Sequence, residues 1–172
     1  MVALGERPAG GGPAPDMKHF ARLEELAARV GQPLADSDWI TVDQHHIDAF
    51  AEATEDRQWI HTDPVRAAAG PFGTTIAHGF MTLSLLPVMV ASAYAIDDVR
   101  MGVNYGLNRV RFPAPVPAGS RVRARLRLLA FGPLRDGAQL TIEATVEREG
   151  SVKPVCVAEL LTRLHVQAMI AP

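Results

Sequence analysis

The second half of the chain alternates apolar and polar residues with a period of two. Val122, Ala124, Leu126 and Leu128 alternate with Arg121, Arg123, Arg125 and Arg127, and Leu140, Ile142, Ala144 and Val146 with Thr141, Glu143, Thr145 and Glu147. Such alternation marks strands with one buried face. Turn signals at Gly132-Pro133 and Asp136-Gly137 predict that the two runs join as an antiparallel hairpin, with Gly150 at the next turn. Val99 to Phe112, ended by Pro113, Pro115 and Pro117, and Val155 to Val166 supply the remaining strands of an antiparallel set of about four.

The first half has helical spacing. Asp16 predicts an N-cap for a helix running to Val30, with Leu23, Leu26, Ala27 and Val30 on one face and Gly31 as its stop. Trp39-Ile40 reads as a brief extended piece. Thr41 to Gln44 has the spacing of a capping box opening a helix to Thr54, with Ile47, Phe50, Ala51 and Thr54 as its inner stripe. Asp63-Pro64 starts another short helix, because proline at the first helical position loses no useful donor; it ends at Gly70-Pro71.

A long apolar helix follows, from about Ala77 to Ala95. Gly79 to Ile96 carries no charge, which is long enough to span a membrane. Pro87 interrupts that stretch, no Lys/Arg cluster flanks it, and the one-sided strands need apolar cover. We therefore predict a buried helix wrapped by the sheet, an α+β arrangement. Such a sheet leaves an edge strand, and pairing of two copies would protect it, so a homodimer is expected.

Composition narrows this picture. Residues 1–15 are dominated by Gly, Pro and Ala and read as a disordered N-terminal tail without a secretory signal, leaving 16–172 as a single domain. The hydrophobic share of 48% is enough for a core, and a net charge of −2 gives no electrostatic reason to expect nucleic acid. The single cysteine, Cys156, rules out an intramolecular disulfide, fits a reducing cytoplasm, and reads as a small buried hydrophobe.

Candidate chemistry lies on the loop Glu55 to Asp63. Asp56 and His61 stand five positions apart between two helix signals, where a loop can fold both side chains into one pocket. A carboxylate and an imidazole that share one water perform general acid–base chemistry. The bland alternative is a pair of caps or solvated groups. Thr74 to Gly79 then leads into the apolar helix, whose first N–H groups lack internal partners and can hold a developing oxyanion; Gly79 equally permits close packing.

These residues carry a resemblance. Phe50 to Leu86, with His61-Thr-Asp-Pro64, Gly70-Pro-Phe-Gly73 and Ile76-Ala-His-Gly-Phe-Met81, resembles the signature of MaoC-like R-specific enoyl-CoA hydratases of hot-dog fold, closest to the mycobacterial-type single-domain members. The similarity continues through Gly102 to Pro117. It implies that Asp56 and His61 are the catalytic pair and that the Gly79 N–H is the oxyanion donor. The implied reaction is reversible syn addition of water across the 2,3 double bond of an enoyl-CoA. No cofactor is implied beyond the coenzyme A of the acyl-CoA substrate. Two departures stand out: Glu55 occupies a place where most of the family has Gly, and Gln58-Trp59-Ile60 replaces Asn-Pro-Leu.

Other residues admit plainer readings. His78 reads as a packed, hydrogen-bonded histidine beside Gly79 before it reads as a third catalyst, though it joins Tyr105, Asn108 and Arg109 as a candidate substrate contact. The stripe Arg121 to Arg127, like Arg109 and Arg111, suits phosphate, but for the stripe cross-strand pairing with Glu143 and Glu147 is favoured. Asp43, His45, His46 and Asp48 match no metal-ligand spacing, so no metal is expected. The competing functions are a hot-dog thioesterase, which would release free thiol, and a non-catalytic acyl-binding subunit.

Overall fold

The computed structural model describes residues 17–166. The expected tail 1–15 lies outside them, as does Asp16.

The predicted helix to Val30 is instead a short strand, β1 (Lys18–Phe20), followed by a 3-10 helix (Leu23–Arg29). Leu23 and Leu26 are buried, whereas Ala27 and Val30 are exposed. With three residues per turn only the i, i+3 pair shares a face, so the wider helical stripe is lost. The backbone N–H of Leu23 donates to the Asp98 carboxylate at 3.0 Å, a partner far along the chain.

After β2 (Pro33–Asp36) and β3 (Ile40–Val42) comes α1 (Gln44–Thr54). Its cap is Asp43, whose carboxylate accepts from the His46 N–H at 2.9 Å; Thr41 belongs to β3. Ile47 and Ala51 are buried, Phe50 partly, and Thr54 is exposed. The following loop contains one more helical turn, α2 (Trp59–Thr62). Asp63 caps α3 (Pro64–Ala68) as its sequence predicts, accepting from the Arg66 N–H at 2.9 Å.

The long apolar helix is broken in two, α4 (Gly79–Ser84) and α5 (Leu86–Ala93). Pro87 has no N–H to donate back to Leu83, so the ladder cannot run through. Leu86, Met89, Val90 and Ala93 are buried, while Phe80 and Val88 face outward. Tyr94–Ile96 forms β4, paired in parallel with β1. No helix among the described residues is long and apolar enough to cross a membrane.

β5 (Met101–Arg111), β6 (Ser120–Leu134), β7 (Gly137–Arg148) and β8 (Cys156–His165) are the four long strands. With β2 and β3 they make a six-stranded antiparallel sheet, ordered β2-β6-β7-β8-β5 with β3 also on β6. The hairpin turn is Arg135-Asp136 alone, because Leu134 faces Gly137; Gly132 and Pro133 continue β6 opposite Gln139 and Ala138. All eight predicted inward residues of β6 and β7 are buried and pack with Leu86 and Met89 in one core. The sheet therefore wraps α4 and α5, as a hot-dog fold requires, and leaves β5 at one edge.

Candidate active site

α1 ends at Glu55, which adopts the left-handed conformation with φ 61° and ψ 10°. This reverses the chain and delivers Asp56 to the outside of the loop, its side chain 57% exposed. His61 is carried inward on α2 and is buried. His78, the N-cap residue of α4, is buried as well.

The three groups meet: one potential ligand atom from each of Asp56, His61 and His78 lies within 4.8 Å of the others. The His61 and His78 rings stack with centroids 3.7 Å apart and planes 24° from parallel. Phe50 packs on His78 at 5.1 Å.

Hydrogen bonds set the tautomers. His61 Nδ1 lies 2.6 Å from the Ile76 carbonyl, which only accepts, so Nδ1 carries the proton and Nε2 presents a lone pair. His78 Nε2 lies 2.9 Å from the Asp56 main-chain carbonyl and is likewise the donor; its Nδ1 is buried without a partner. The Asp56 carboxylate is 4.0 Å from His78 Nε2. Burial pushes the His61 pKa below its ordinary value; the Ile76 hydrogen bond opposes this, His78 adds to it, and Asp56 opposes it. His61 thus keeps the Nε2 lone pair free, whereas His78 spends its Nε2–H on a carbonyl and its remaining nitrogen is buried without a partner.

Gln44 is a member of the site that sequence reading missed. Its amide donates to the His61 carbonyl and to Asp48, both at 2.8 Å, and its oxygen accepts from the Thr75 hydroxyl at 2.5 Å. One side chain thus joins α1, α2 and the segment before α4. Its place in the capping pattern was the sole signal in the sequence, and it pointed to a local role.

Gly79 opens α4, and the His78 side chain caps none of the first amides. A Cβ at Gly79 would stand 2.9 Å from the Phe112 ring, so close packing is also a reason for glycine here. Tyr105 is half exposed, with the Arg163 guanidinium 3.5 Å over its ring. Asn108 and Arg109 are exposed on β5. Their neighbours Asn104 and Leu107 instead line an apolar groove of about 370 Å³, with Leu83, Leu86, Val90 and Leu160.

The arginine stripe is engaged in pairing. Arg123 and Arg125 contact Glu147 at 2.5 and 3.1 Å, and Arg121 contacts Glu149 at 2.9 Å. Glu149, not Glu143, completes that set; Arg127 turns to the Gly31 carbonyl. His46 pairs with its own helix cap Asp43 at 2.7 Å.

A carboxylate and two buried imidazoles meet beside uncapped helix amides under a wrapped sheet of the hot-dog class, an arrangement able to do acid–base chemistry. Residues 25–151 match the MaoC like domain, and the chain belongs to that family. It is 55% identical over 148 residues to 3-hydroxyacyl-thioester dehydratase Z of Mycobacterium tuberculosis, covering 86% of this chain and 98% of that relative. Nodulation protein N of Rhizobium leguminosarum is 50% identical over 148 residues, covering 84% and 91%. The solved (R)-hydratase of A. caviae superposes with a TM-score of 0.64 at 23% identity, over 78% of this chain and 96% of that one, a likeness of fold.

Proposed function

We propose that this protein is an R-specific enoyl-CoA hydratase and, in reverse, a 3-hydroxyacyl-CoA dehydratase: a hydro-lyase acting across the 2,3 bond of an acyl-CoA. The observation that carries this reading is the bare Nε2 of buried His61 clustered with the Asp56 carboxylate. The dehydratase relative at 55% identity supports the same chemistry.

In this reading Asp56 and His61 hold one water between them. One of the pair takes its proton as oxygen attacks C3, and a proton is delivered to C2 on the same face. The negative charge that develops on the thioester oxygen is received by the Gly79 N–H. Leu83 lies about 6 Å along the α4 axis from Gly79, so the apolar groove that it lines is within reach of an acyl chain. Asn108 and Arg109 on the exposed rim are the proposed contacts for coenzyme A, with Tyr105 beside them. No further cofactor is needed. We place the reaction in the cytoplasm, where the buried thiol of Cys156 stays reduced.

The active form in this reading is a homodimer joined along β5, an edge strand of the sheet among the described residues, where Tyr105 and Leu107 are exposed.

Hydration of crotonyl-CoA, followed by loss of enoyl absorbance, tests the assignment. Asp56→Asn and His61→Ala each lower kcat by roughly 10²–10⁴. Wild-type rates in both variants would overturn it, and release of free thiol from the substrate would indicate a thioesterase instead.

A further inference from the structure

We propose that His78 is a positioning residue: by donating its Nε2–H to the Asp56 main-chain carbonyl, it holds the Asp56 carboxylate opposite His61. The proposal rests on the reading of Asp56 and His61 as the working pair.

Asp56 has little else to place it. It follows a residue in the left-handed region, and its side chain is 57% exposed, so packing does not confine it. Among the described residues, its carbonyl contact with His78 at 2.9 Å is the hydrogen bond that ties Asp56 to the rest of the fold.

His78 is suited to hold it. The ring is 3% exposed, stacked on His61 and covered by Phe50, so its donor has one direction. That direction has a penalty. With the proton on Nε2, Nδ1 remains buried without a donor to accept from, and the desolvation of that acceptor goes uncompensated. A histidine that merely filled space would carry no such penalty if replaced by an apolar ring. Having its other ring nitrogen buried, His78 offers no polar atom to a substrate, so its effect passes through Asp56.

His78 is also the residue before Gly79. A single side chain therefore sets the separation between the carboxylate on the α1–α2 loop and the amide at the start of α4. Catalytic geometry is steep in distance: a displacement of about 1 Å costs on the order of 10² in rate.

Two substitutions in the full chain separate donor from ring. His78→Gln can bring an amide donor to the Asp56 carbonyl without the aromatic ring, while His78→Phe keeps a ring and loses the donor. With crotonyl-CoA, His78→Phe is expected to lose about 100-fold in kcat with KM changed less than about threefold, and His78→Gln to stay within about tenfold of wild type. Wild-type kcat in His78→Phe would overturn the proposal, as would an equal loss in both variants or a loss expressed in KM. If His78→Phe does not fold, His78→Gln decides alone at the tenfold mark. Parallel Asp56→Asn and His61→Ala assays keep the two readings apart. If those are inactive while His78→Phe works, His78 alone is misassigned; if they are active, the pair itself is wrong.

Discussion

A histidine in water protonates near pH 6.5. His61 is held below that value, first by burial, so it stays neutral with Nε2 available throughout the neutral range. The acidic limb of kcat/KM for hydration should therefore fall below pH 6.5, and a limb at or above that value would show that burial does not govern the group. The same shift links to stability with a defined sign. The unfolded chain takes up the His61 proton first, so the contribution is nil above about pH 6.5 and becomes destabilising as pH drops toward the lower folded value. At this scale the meeting of Asp56 and His61 in one cluster was legible in the sequence. The tautomers were not, because they depend on the carbonyls of Ile76 and Asp56, which any residue could supply. Gln44 was hidden for the same reason: its partners Thr75 and His61 are brought to it only by the fold.

Glu55 ends α1 in the conformation that glycine adopts without strain, at the position where the resembling family usually has glycine. Glu55→Gly should raise stability by about 1 kcal/mol by removing the side-chain clash of the left-handed region. In a chain of this size that is about 2–4 °C in Tm, readable in a thermal melt; a lower Tm would mean that the Glu55 side chain does something more than tolerate the turn. Elements with strong local signals formed where expected, as with α3 behind Asp63-Pro64 and the alternating β6 and β7. Two expectations failed for identifiable reasons. The first helix became a 3-10 turn, its Leu23 N–H taken by distant Asp98, and the apolar helix divided at Pro87, although the proline was visible from the outset.

Over the whole molecule, β5 is an edge strand among the described residues and carries a run of exposed residues, Tyr105 and Leu107 among them. Pairing there in the proposed homodimer would cover both. Light scattering should give twice the chain mass, and Leu107→Lys, a charge on the edge, should shift the species toward one chain; a monomeric wild type would refute the dimer. What the sequence determined by itself was local: strand alternation, the Asp63 cap, and the residue types able to share a proton. Those follow from backbone periodicity and short-range hydrogen bonding, which neighbours in the chain control. Tertiary structure decided which groups meet. It stacked His61 on His78 and ran β2 and β3 along β6, because such contacts depend on distances between segments that no local pattern encodes.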